Sequence, residues 1–229
     1  MESKLLVANF KMNKTREDLR DYLAAFPKPD RDYPHTIVFC PPFTGLDYLG
    51  QKLKAPCHLG AQNIHEAARG AYTGEVSAPM LVELGVEYVL IGHRERRQYQ
   101  HESDQLINQK IKTALANHLQ VILCVGASQK ELRNQINTDL TDIAPDAPVY
   151  LAYEPQWAIN SGKPATTHKI RQITRFIKKV CPYPVLYGGS VTPKNAAKIL
   201  NLPEVDGILV GTASLDPQTF AKICQVGVQ

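Results

Sequence analysis

Short apolar runs recur along this chain and alternate with longer stretches of helical spacing. Segments 5–10, 36–40, 57–61, 88–91, 120–125, 149–153, 185–187 and 207–210 are dominated by aliphatic and aromatic residues. Polar, Gly or Pro residues bound them, and they predict short buried strands. Between them the apolar positions fall three and four apart. Leu19, Tyr22, Leu23 and Phe26 place a helix over 15–26. Further helices are expected over 44–53, 79–84, 105–117, within 128–140, over 167–180 and over 217–225. Pro193 suits the first turn of a helix running to Leu200. A charged stretch, 94–102, precedes the helix at 105–117, and a long polar, Gly-bearing segment runs from Gln62 to Ser77.

Eight strands thus alternate with eight helical stretches, with no linker or low-complexity tract between them. Strict alternation implies parallel strands joined by right-handed crossovers. Eight repeats favour closure into a (β/α)8 barrel over an open sheet, and residues 1–229 read as one domain. A chain of 229 residues, 44% of them hydrophobic, is large enough for one substantial core and too apolar for disorder.

Composition narrows the function. No apolar run approaches the 18 or so residues of a membrane span, and the N-terminal run is too short for a signal peptide. The net charge of +4 comes without a Lys/Arg block, which argues against nucleic acid and mildly favours a small anionic ligand. Five cysteines, an odd number with no metal-ligand spacing, fit free thiols in a reducing cytoplasm.

Chemistry gathers at the strand ends. In a (β/α)8 barrel the active site lies at the C-terminal ends of the strands. Here strand one ends at Asn9-Phe10-Lys11, strand four at Gly92-His93 and strand six at Glu154. Strand seven ends in Gly188-Gly189-Ser190 and strand eight in Gly211-Thr212. Pro155 has no N–H to give and stops the sixth strand directly after its terminal carboxylate. A base, an imidazole and a cation would then face two Gly-rich turns, where this fold commonly holds phosphate on backbone N–H groups. That set suits proton transfer beside a carbonyl on a phosphorylated substrate.

Five stretches carry a resemblance across the whole chain: Asn9-Phe10-Lys11-Met12-Asn13, 91–97 (IGHRERR), 152–159 (AYEPQWAI), 187–191 (YGGSV) and 207–211 (GILVG). In this order they resemble the triosephosphate isomerases. The resemblance implies interconversion of dihydroxyacetone phosphate and D-glyceraldehyde 3-phosphate through an enediolate, a step of glycolysis and gluconeogenesis. Glu154 would be the base, His93 a neutral electrophile and Lys11 the stabilising cation, with Asn9 positioning it. Asn160, Ser190, Gly211 and Thr212 would bind substrate, and 160–163 would form the tip of a lid. Glu95, pairing with Lys11, and Cys124 would stand behind these residues. The chemistry needs no metal and no organic cofactor. The segment from Gln62 to Glu75, with Thr73 near its tip, looks like the family's projecting loop and implies a homodimer.

The chain also departs from the family. Arg94 stands where a Ser ordinarily follows the histidine. Its guanidinium could clamp Glu154 and lower its basicity, or it could point to solvent. Asn160-Ser161 replaces the Gly-Thr of the lid, and Thr212 replaces a Gly of the phosphate turn. Ala127 replaces a Glu, so an ion pair behind the site is expected to be missing, and the connection 127–148 is short. Two further readings follow: an isomerase of a related four-carbon sugar phosphate, or a weak or silent sugar-phosphate-binding protein owing to Arg94.

Overall fold

The computed structural model describes residues 3–30, 32–126, 128–155 and 165–226. Eight parallel strands close into a barrel in chain order: β1 (Leu5–Asn9), β2 (Thr36–Cys40), β3 (Cys57–Ala61), β4 (Tyr88–Ile91), β5 (Gln120–Val125), β6 (Val149–Tyr153), β7 (Val185–Tyr187) and β8 (Gly207–Val210). The ring closes where Leu5 of β1 lies opposite Gly207 of β8.

Strand alternation divides the apolar residues into two cores. Leu5, Val7, Val38, Tyr88, Leu90 and Ile122 belong to a cluster made of strand residues alone, which fills the barrel. Their neighbours Leu6, Ala8, Ile37 and Phe39 pack instead with helix residues such as Leu19, Ile107 and Ile173, in the layer between barrel and helices. The same period of two decides what reaches the rim. Asn9 follows Leu5 and Val7 on the inner face, and Glu154 follows Tyr150 and Ala152.

The helices among the described residues are α1 (Arg16–Ala25), α2 (Leu46–Gly50), α3 (Ala78–Glu83), α4 (Arg94–Tyr99), α5 (Asp104–Ala116), α6 (Gln129–Asp139), α7 (Thr167–Val180), α8 (Ala196–Leu200) and α9 (Pro217–Cys224). Local chemistry sets their starts. Thr15 and Asp18 form a reciprocal capping box at α1, and Ser128 and Glu131 do the same at α6. Phe10, Tyr22, Phe26, Phe39 and Phe220 interlock with ring centroids 4.9–6.0 Å apart. Cutting one such Phe to Ala removes about 3–5 kcal/mol. Phe10 therefore anchors its neighbours Asn9 and Lys11 at the rim.

Three expectations need correction. The helix expected over 44–53 is a 3-10 turn, Phe43–Gly45, followed by the single turn of α2. The charged stretch 94–102 contains a helix of its own, α4, so the count of eight is too low. Pro193 does not open α8. The Asn195 side chain folds back, accepting from Thr192 N–H at 2.8 Å and donating to Ser190 O at 2.9 Å, and this closes a turn before the helix starts at Ala196.

Candidate active site

Gly92 carries φ 71, a conformation open chiefly to Gly, and turns the chain from β4 into α4. His93 is the N-cap of that helix, and its Nδ1 accepts the Glu95 N–H at 3.3 Å. An accepting Nδ1 has a free lone pair, so the proton of the neutral ring sits on Nε2. Nε2 lies 3.0 Å from Oε1 of Glu154. The other carboxylate oxygen, Oε2, receives the backbone N–H of Arg94 at 3.3 Å. His93 and Glu154 are both buried.

Arg94 meets Glu154 through its main chain. Among the described residues no ion pair joins its guanidinium to that carboxylate, and its side chain lines a cavity of about 570 Å³ behind Glu154. The clamp is therefore absent from this conformation.

Lys11 has φ 52, an unusual value for a residue with a side chain. Two side chains hold it there. Asn9 Oδ1 accepts its N–H at 2.9 Å, and Gln62 Nε2 donates to its carbonyl at 2.9 Å. Strain of this kind persists only where neighbours over-determine it, and it gathers at functional sites. The Lys11 ammonium lies 2.6 Å from Oε1 of Glu95, the expected pair. Cys124, fully buried below Glu154, keeps its thiol well above the usual range, first because of burial and next because of the Glu154 charge.

Asn9, Lys11, His93, Glu154, Ser190, Gly211 and Thr212 line one cleft of about 400 Å³. Asn160, the lid and Ala127 lie outside the described residues. Sequence reasoning missed three contributors. Besides Gln62, these are Gln135, whose Oε1 accepts the Gly126 N–H at 3.1 Å, and Arg97. The Arg97 guanidinium joins Gly92 O at 2.7 Å, Asp139 at 2.6 Å and Asp104. Gln62 directly follows β3, where it reads as the start of the long polar segment, while Arg97 and Gln135 lie on helices away from any strand end. Among the described residues no group of three or more His, Cys, Asp or Glu could hold a metal ion.

The loop 62–77 is tied at its base. His65 N–H reaches Val76 O at 2.9 Å, Lys110 Nζ reaches Asn63 Oδ1 at 2.9 Å, and the rings of His65 and Tyr72 pack 4.2 Å apart. Its tip, 68–75, is exposed.

The closed barrel, with Lys11, His93 and Glu154 gathered in one cleft, sorts this chain with the (β/α)8-barrel enzymes. Comparison with known proteins narrows the class. The family model described as "Triosephosphate isomerase" matches residues 4–227. Proteins of that name are similar over nearly their full lengths. That of Aquifex aeolicus is 42% identical, covering 96% of this chain and 98% of the relative. Those of Gloeobacter violaceus and Alkaliphilus metalliredigens are each 40% identical, covering 97% of this chain and 98% and 99% of the relatives. The chain belongs to the triosephosphate isomerase family.

Proposed function

We propose that this protein interconverts dihydroxyacetone phosphate and D-glyceraldehyde 3-phosphate, with Glu154 as the base. The observation that carries the reading is the approach of the buried Glu154 carboxylate to His93 Nε2, 3.0 Å apart in one cleft with Lys11 and the turns after β7 and β8.

Glu154 takes a proton from the carbon beside the carbonyl. The carbonyl oxygen gains the electron pair, and His93, with its proton on Nε2, donates a hydrogen bond to that oxygen. The Lys11 ammonium stabilises the developing enediolate charge. His93 passes its Nε2 proton to the former carbonyl oxygen and takes the proton of the neighbouring hydroxyl in exchange, and Glu154 returns its proton to the carbon that bore the carbonyl, so the old hydroxyl oxygen becomes the new carbonyl with no net gain or loss of atoms. Ser190, Gly211 and Thr212, with Asn160, hold the phosphate, aided by backbone N–H groups. Burial of both reacting side chains supports this reading, because charge interactions strengthen where water is excluded.

The protein also pairs with a second copy through the loop from Gln62 to Glu75. Its tied base and exposed tip support that, as do Met12, Tyr72 and Tyr99, large apolar side chains left in solvent by a single chain. We place it in the cytoplasm, which the five free cysteines support. Among the described residues no helix is long and apolar enough to cross a membrane.

The test is a coupled isomerase assay on wild type and Glu154→Gln. Turnover by wild type and its near-complete loss in the variant are expected, and equal rates in the two would refute the assignment.

A further inference from the structure

We propose that Gln135 is a positioning residue for Glu154, acting through Gly126. The proposal rests on Glu154 being the base. The end of β5 grips the main chain of Glu154 directly: the Glu154 N–H donates to Val125 O at 2.8 Å. Gly126 comes next and lies flat against the same backbone. A Cβ placed on Gly126 would stand 2.2 Å from Glu154 O and 3.5 Å from Glu154 Cβ. A shift of Gly126 is therefore transmitted to the carboxylate, because close-packed neighbours leave no slack.

The Gln135 side chain holds Gly126 from outside the barrel, its Oε1 accepting the Gly126 N–H at 3.1 Å. Gln135 itself stands on fixed ground. Leu132 and Ile136, on either side of it along α6, are buried in the main core. Asp139, at the end of the helix, is tied to Arg97 at 2.6 Å, and Arg97 holds Gly92 O at 2.7 Å. Gly92 precedes His93. The path from α6 thus reaches both reacting groups, with Gln135 leading to Glu154 and Arg97 leading to His93. Gln135 also lines the cavity behind Glu154, so no other side chain need move when its amide is replaced.

Reacting groups held within a fraction of an ångström gain most from such a restraint, since a misplacement of about 1 Å costs about a hundredfold in rate. Gln135→Met keeps the chain length and loses the acceptor, and Gln135→Glu keeps the acceptor. In Gln135→Met, kcat falls about five- to thirtyfold while KM stays within about twofold. Binding of inorganic phosphate, read as an inhibition constant, stays within about twofold. Binding of 2-phosphoglycolate, a phosphorylated carboxylate with the planar charge of an enediolate, weakens at least about fivefold. Gln135→Glu returns kcat to within about threefold of wild type.

Wild-type kcat in Gln135→Met overturns the proposal, as does a loss of kcat that Gln135→Glu fails to restore. If Gln135→Met does not fold, Gln135→Asn, which shortens the reach by one methylene, is read in its place. Failure of both to fold also overturns the proposal, by making Gln135 part of the scaffold. Glu154→Gln run alongside separates the two assignments: turnover kept in that variant sinks the base, whatever Gln135 does.

Discussion

The backbone N–H of Arg94 faces Oε2 of Glu154 at 3.3 Å, while the Arg94 guanidinium makes no ion pair with that carboxylate. Any residue except proline supplies the same N–H. Arg94→Ser should therefore leave kcat within about threefold of wild type, because the Glu154 contact survives and a half-buried charge that forms no ion pair with the carboxylate is worth about 1 kcal/mol or less. A tenfold or larger rise in a steady-state assay would mean that the guanidinium restrains Glu154 in solution.

Lys11 should matter far more. In the proposed mechanism its ammonium meets the developing negative charge, and removing one preorganised electrostatic partner costs about 10²–10³ in kcat. Lys11→Met is expected to lose activity on that scale. Glu95→Gln, which removes the partner 2.6 Å away, should change stability by less than about 1 kcal/mol, as both side chains are partly solvated. Steady-state kinetics and thermal melts of the two variants check this.

Acid should weaken the fold through His35. This buried imidazole accepts the Lys4 N–H on Nδ1 at 3.3 Å, and burial holds its pKa below the ordinary value, with the Lys4 charge acting the same way. Below pH about 6.5 the unfolded chain binds that proton more readily than the folded one. The stability His35 contributes is thus present above that pH and lost as pH falls towards the folded value. His35→Asn should flatten the melting temperature between pH 5 and 7; an unchanged slope would rule His35 out as the source.

Asp139 should act in the opposite sense. Its carboxylate has no solvent exposure and one unpartnered oxygen, and it shares the Arg97 guanidinium with Asp104. Burial, the leading cause, pushes its pKa to about 8; Arg97 opposes that and Asp104 reinforces it. The geometry suggests a plain ion pair, yet one guanidinium divided between two carboxylates does not offset the loss of water. Between the unfolded value of 3.8 and about 8 the folded state binds more protons, so this contribution fades as pH rises through that window. Asp139→Asn should therefore raise the melting temperature relative to wild type by more at pH 8 than at pH 5, measured in the same buffers.

Sedimentation should find a particle of twice 25.5 kDa. Met12, 95% exposed in the single chain, then lies at the contact, and Met12→Glu should shift the population towards monomer. A wild-type monomer at micromolar concentration would refute pairing through the 62–75 loop.

Much of this was legible in the sequence, because buried parallel strands leave dense apolar runs and this fold puts chemistry at their ends. Asn9, Lys11, His93 and Glu154 each directly end or follow such a run, so finding the strands found them. Gln62 also follows such a run but opens a long polar segment, and Arg97 and Gln135 stand on helices, where a long polar side chain ordinarily faces water. The fold supplies their partners: Lys11 O and Cys40 O for Gln62, Gly92 O, Asp104 and Asp139 for Arg97, and Gly126 N for Gln135. Pro193 misled because its fixed φ suits a turn as well as a helix start, and the choice fell to Asn195.

Leu5 of β1 sits opposite Gly207 of β8, and Leu5 N–H reaches Asp206 O at 3.1 Å. A ring whose first and last staves touch has no obligatory starting point. Joining the two ends by a short flexible tether and opening the chain instead near Asp142, in the exposed turn after α6, would leave every stave beside its present neighbours. Such a rearranged polypeptide should assemble the same mouth, since the order of synthesis is not what brings Lys11, His93 and Glu154 together.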